Sequence, residues 1–92
     1  MRLLVVEDEK KLCDMIAKSL HQSGYEVDVC NDGEEALDMI YAEMYDLIVL
    51  DLNLPGVDGM EILRELRKED EETKVLILSA RRQIADKIEG LD

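Results

Sequence analysis

No apolar run in the 92-residue sequence approaches the roughly 20 residues needed to cross a bilayer, and the first residues lead into a strand-like segment rather than a secretory leader. A membrane-spanning or exported chain is therefore not expected, and the sequence reads as cytoplasmic. Basic residues are scarce: 11 Lys and Arg stand against 23 Asp and Glu, a formal net charge of −12. Such a surface repels phosphate backbones, so nucleic acid is not expected as a direct partner, whereas a cation is compatible with it. Cysteine is limited to Cys13 in a helical pattern and Cys30 in a strand pattern, without the C-x-x-C spacing or neighbouring histidine of a zinc site. Both are expected to be reduced packing residues. The single histidine, His21, falls late in a helical pattern and is expected to be exposed, with no catalytic role. Linkers, repeats and low-complexity stretches are also missing. With 47% hydrophobic and 37% charged residues, the chain fits one small globular domain with a modest core.

Three continuous apolar runs are present: Leu3 to Val6, Leu47 to Leu50 and Val75 to Leu78. Runs of this kind mark strands covered on both faces, so all three are expected inside a parallel sheet. In Glu26 to Cys30 the apolar residues alternate with acids, the pattern of a half-exposed edge strand. Helical stripes lie between the strands. Leu12, Ile16 and Leu20 precede a stop at Gly24; Ala36, Leu37, Ile40 and Met44 follow Asp32 and Glu35, spaced as a capping box; Ile62, Leu63 and Leu66 form a third stripe; Ile84, Ala85 and Ile88 form a short fourth, ended by Gly90. Tyr25, Tyr41 and Tyr45 read as packing or boundary residues. The order β-α-β-α-β-α-β-α, with short connections, implies a doubly wound parallel sheet with helices on both faces and right-handed crossovers. A fourth strand apolar throughout calls for a neighbour on each side. The sequence supplies only a short helix after it, so a further strand and helix, another chain, or an exposed edge is expected there.

In open parallel α/β sheets the functional crevice lies at the carboxyl ends of the strands. Glu7 and Asp8 directly follow the first strand and Asp51 directly follows the third. If those strands are neighbours, about 4.8 Å apart, three carboxyl groups converge on one rim. Like charges so close raise at least one pKa, and a divalent cation resolves the conflict. All-oxygen ligands point to Mg²⁺ or a similar ion, which keeps several waters and completes its shell with a substrate phosphate. A strand-end aspartate beside that ion can attack a phosphoryl group and form an acyl phosphate. Ser79, at the end of the fourth strand, could place its hydroxyl on a phosphoryl oxygen of Asp51 and so couple modification to the following segment. The turn Asn53 to Gly59, with its Pro55-Gly56 pair, could offer a main-chain carbonyl such as that of Asn53 as a further metal ligand. Taken singly, Glu7-Asp8 fits a helix-start acid pair, Asp51 a turn residue and Ser79 a turn hydroxyl. Their joint placement at three strand ends favours the chemical reading. Arg81-Arg82 reads as a solvated helix start rather than a phosphate clamp.

Leu3-Leu4-Val5-Val6-Glu7-Asp8-Glu9, Asp46 to Gly59 around Asp51, and Val75-Leu76-Ile77-Leu78-Ser79-Ala80 together resemble, in order and spacing, the three strand-end motifs of response-regulator receiver domains, most closely those of the OmpR/PhoB type. The resemblance implies a flavodoxin-like (CheY-like) sheet of order 2-1-3-4 over residues 1–92, with the family's fifth strand and fifth helix missing. By the same likeness Asp51 is the phosphoacceptor, Glu7 and Asp8 bind Mg²⁺ together with Asp51 and the Asn53 carbonyl, and Ser79 is the switch hydroxyl. The implied partners are a histidine kinase as phosphate donor and a C-terminal winged-helix DNA-binding domain as output, acting in transcription. The domain would be regulatory, catalysing only its own phosphorylation and dephosphorylation. The sequence lacks the family's fifth-strand lysine and aromatic switch residue, so impaired phosphotransfer and self-association into a homo-oligomer are expected of this chain by itself. Two alternatives stay open. One is a phosphatase of the haloacid-dehalogenase type, although the acid/base aspartate expected two residues after the nucleophile is here Asn53. The other is a non-catalytic, self-assembling interaction module.

Overall fold

The structure is a computed structural model that describes residues 1–78. Ser79, Arg81-Arg82 and the expected fourth helix with Ile84, Ala85, Ile88 and Gly90 lie outside the described residues. The elements run β1 (Arg2–Val6), α1 (Lys10–Gln22), β2 (Glu26–Cys30), α2 (Gly33–Ala42), β3 (Leu47–Leu50), α3 (Gly59–Glu69) and β4 (Lys74–Ile77). All strand pairs are parallel, in the order β2-β1-β3-β4, so the expected doubly wound topology is borne out.

The apolar run of β1 occupies the centre because both of its faces are covered. Leu4 and Val6 enter a core with Ile48, Leu50, Ala36, Ile62 and Leu66, beneath α2 and α3. Val5 packs on the other face with Cys13 and Val49, beneath α1. Leu3, Leu4, Val5 and Val6 are all fully buried, each such side chain contributing about 1.5–3 kcal/mol. The helices begin and end where local chemistry allows. Asp32 Oδ1 accepts the Glu35 N–H at 2.8 Å to open α2, and Asp58 Oδ1 accepts the Met60 N–H at 2.8 Å to open α3. Gly24, at φ +96°, closes α1, donating its N–H to the His21 carbonyl. Both cysteines are buried and free, and burial pushes their thiols upward, Cys30 to about 11, as suits reduced packing residues.

One expectation needs correction. Met44 does not belong to the stripe of α2: that helix ends at Ala42, Glu43 turns to extended backbone, and Met44 is 87% exposed. The neighbouring Tyr45 fills the core instead, its hydroxyl donating to Asp28 Oδ2 at 2.7 Å under the Arg2 guanidinium. β4, whose apolar run by itself calls for an interior place, forms an edge among the described residues, as the expected order 2-1-3-4 implied, with Leu76 54% and Ile77 36% exposed. Its apolar run calls for cover on both faces, and residues 1–78 supply only part of it. The edge position of β2 is as expected.

Candidate functional site

The parallel register sets Val6 beside Leu50 in neighbouring strands, so the next residue of each chain emerges at the same rim. The Asp51 N–H donates to the Val6 carbonyl at 2.9 Å and the Glu7 N–H to the Cys30 carbonyl at 3.0 Å, extending the ladder by one rung on each side. The condition set by the sequence, that β1 and β3 be neighbours, is therefore met. Carboxylate oxygens of Glu7, Asp8 and Asp51 all lie within 4.8 Å of one another. Glu7 and Asp51 are buried and Asp8 is exposed, leaving one side open to solvent.

This placement strains the charges. Burial first, and then the neighbouring Asp51, push the Glu7 carboxyl up from its ordinary 4.5 to about 7, while the Glu9 N–H donated to Glu7 Oε1 at 3.2 Å acts in the opposite direction. Two buried carboxyls and one exposed carboxyl, with no nitrogen or sulfur donor in the cluster, fit a hard divalent cation that keeps part of its water shell. The plain reading of Glu7-Asp8 as a helix-start pair does not hold. α1 begins at Lys10, and its first turn contains no acid.

After β3 the chain turns sharply. The Asn53 N–H donates to Asp51 Oδ1 at 2.9 Å, orienting the carboxylate and fixing Asn53 beside it. Gly56 takes φ +77° after Pro55, as the Pro-Gly pair predicted. Ser79 lies outside the described residues, and Leu78, just before it, donates its N–H to the Leu50 carbonyl at 2.9 Å.

Two supporting residues escaped the sequence reading. Asn31 donates Nδ2–H to the Glu7 carbonyl at 2.8 Å. Gly33 lies so close to the loop after β3 that a Cβ there would meet the Val57 carbonyl oxygen at 2.0 Å. The only signal in the sequence was the Asn-Asp-Gly turn composition after an edge strand.

Comparison with known proteins agrees with this geometry. Residues 3–92 match the family described as "Response regulator receiver domain". The transcriptional regulatory protein TctD of Salmonella typhimurium is 45% identical over 92 residues, which is all of this chain and 41% of TctD. The chain thus spans about two fifths of that relative's length. The receiver domain of the Francisella response regulator 1452 superposes with a TM-score of 0.82 at 41% identity, covering 98% of this chain and 74% of that one. The Thermotoga maritima response regulator TrrA is similar in two crystal structures. Its complex with Mg²⁺-BeF matches at TM-score 0.78 and 38% identity, over 83% of this chain and 66% of that one. Its complex with the histidine kinase ThkA matches at 0.79 and 39%, over 86% and 68%. Parallel topology, a carboxylate rim and a sequence match over nearly the whole chain lead to one assignment: this chain belongs to the response regulator receiver domain family.

Proposed function

We propose that Asp51 accepts a phosphoryl group from a histidine kinase, and that Glu7, Asp8 and Asp51, with the main-chain carbonyl of Asn53, hold the Mg²⁺ that this transfer requires. The observation that carries the reading is the convergence of Glu7, Asp8 and Asp51 within 4.8 Å at the carboxyl rim of a parallel sheet, two of them buried. The Mg²⁺-BeF and kinase complexes of TrrA support it by likeness. When bound, the cation supplies charge neutralisation for the phosphoryl oxygens. The chain's own residues do the rest. Asp51 Oδ1 is engaged by the Asn53 N–H, which leaves Oδ2 to attack phosphorus. The P–N bond to the donor's imidazole breaks as the Asp51 O–P bond forms, and the imidazole leaves with the electron pair and takes up a proton. Asp8, exposed at the open side, faces the entering group. Ser79, next to Leu78 in sequence, takes the switch role by engaging a phosphoryl oxygen. Residues 1–92 act as one receiver unit in the cytoplasm, relaying the change to a DNA-binding output domain elsewhere in the protein. No helix among the described residues is long and apolar enough to cross a membrane.

Incubation with acetyl phosphate and MgCl₂ tests the proposal. A mass gain of one phosphoryl group, labile to hydroxylamine and lost in Asp51→Asn, is expected. Continuous turnover of phosphate esters would assign a phosphatase instead, and no modification at all would leave an interaction module.

A further inference from the structure

The turn between β2 and α2, Asn31-Asp32-Gly33, touches both chain segments that deliver the rim carboxylates. On one side Asn31 Nδ2–H donates to the Glu7 carbonyl at 2.8 Å, just beyond the rung by which the Glu7 N–H donates to the Cys30 carbonyl at 3.0 Å. On the other side the Gly33 N–H donates to the Pro55 carbonyl at 3.3 Å, in the loop that follows Asp51. The turn is itself pinned, because the Cys30 thiol donates to the Asp32 carbonyl at 3.0 Å and Asp32 Oδ1 accepts the Glu35 N–H at 2.8 Å. The turn thereby ties the end of β1 to the loop that follows β3.

Glu7 and Asp8 differ in what orients them. Glu7 is 2% exposed, so packing fixes its side chain, whereas Asp8 is exposed and depends on its backbone. The peptide unit from Glu7 to Asp8 is planar, so fixing the Glu7 carbonyl fixes the Asp8 N–H and the position of its Cα. We infer that Asn31 is a positioning residue for the cation site: its bond to the Glu7 carbonyl locks the Glu7–Asp8 peptide and so aims the Asp8 carboxylate at the space shared with Asp51. The inference rests on the proposed reading of these three acids as cation ligands. A merely structural Asn31 would support the fold and leave cation affinity alone, whereas a positioning Asn31 sets the geometry that the cation demands.

The experiment is a MgCl₂ titration of the full chain without phosphodonor, followed by the amide resonances of Glu7, Asp8, Asp51 and Asn53. Asn31→Ala removes the donor, and Asn31→Ser replaces it with a hydroxyl too short to span the gap. Tyr41→Phe serves as a control that deletes an exposed hydrogen bond to Glu65 (3.0 Å) on the helical surface. Both Asn31 variants are expected to bind Mg²⁺ about three- to ten-fold more weakly than wild type at temperatures where they are folded, the effect of losing one orienting hydrogen bond. Tyr41→Phe is expected to bind like wild type. Asn31 variants with wild-type Mg²⁺ affinity, whatever their melting temperature, would overturn the inference while leaving the ligand reading intact. A wild-type chain whose Glu7, Asp8 and Asp51 resonances ignore Mg²⁺ would instead overturn the ligand reading, and the inference with it.

Discussion

Replacing Glu7 by glutamine is expected to stabilise the cation-free protein at pH 8 and to abolish the gain in stability that Mg²⁺ gives the wild type. The Glu7 carboxyl is raised from 4.5 to about 7, chiefly by burial and then by Asp51. At about 1.4 kcal/mol per pKa unit, ionising it in the folded state costs about 3 kcal/mol more than in the unfolded chain. Its 2% exposure leaves little room for water to screen that cost, although the burden is shared with Asp51. The sign follows from proton binding. Because the folded state holds this proton more tightly, the favourable contribution is complete below pH 4.5, declines as pH rises toward 7, and is gone above it. Glutamine keeps the shape, accepts the Glu9 N–H and can donate to Asp51, but never ionises. Thermal melts in EDTA should therefore place Glu7→Gln above wild type at pH 8 by about 1–3 kcal/mol, or roughly 5–20 °C for a domain of this size, with the gap closing near pH 4.5. Mg²⁺ should raise the wild-type melting temperature at pH 8 and leave the variant nearly unchanged. A variant no more stable than wild type in EDTA at pH 8 would refute the claim that burial strains Glu7.

Gly33→Ala would set a methyl group 2.0 Å from the Val57 carbonyl oxygen, so a loss of about 1–3 kcal/mol in urea unfolding and shifted amides from Pro55's neighbours to Val57 are expected. Tyr45→Phe removes the donor that, ahead of Arg2, holds the Asp28 carboxyl below its ordinary value. It should cost about 1–2 kcal/mol at pH 7, with the deficit shrinking as pH falls through the lowered Asp28 titration, and Mg²⁺ affinity should stay as in wild type. The exposed Leu76 and Ile77 on the β4 edge predict pairing with a second copy of the 92-residue chain, so light scattering at tens of micromolar should give more than the monomer mass. A monomer whose scattering is unchanged by concentration would count against it.

The three clustered acids could be read from sequence and their supports could not, for a physical reason. Glu7, Asp8 and Asp51 are acids placed directly after apolar runs, and residue type plus strand end is enough to fix their destination once β1 and β3 pair. The same logic located β1 and β3, because Leu3 to Val6 and Ile48 to Leu50 are buried as their composition demands. At β4 it located the strand but not its cover, since an apolar run states what cover a strand needs and not which residues provide it. It overreached at Met44, four residues after Ile40, where the helical period continues in the sequence although Glu43 has already left the helix. Asn31 was hidden differently. Every residue of Asn31-Asp32-Gly33 has a sufficient local explanation as turn or cap, while the contacts that matter reach Glu7 and Val57, 24 residues away in each direction. A site that brings like charges together needs such long-range ties, because mutual repulsion would otherwise relax the rim by moving its exposed member, Asp8. The fully buried Leu4, Val6 and Leu50 hold the strands that bear Glu7 and Asp51, and the turn after β2 holds the peptide that bears Asp8. The proposed cation site would therefore depend on residues outside the acid cluster, and the raised Glu7 carboxyl reflects the burial that they impose on it.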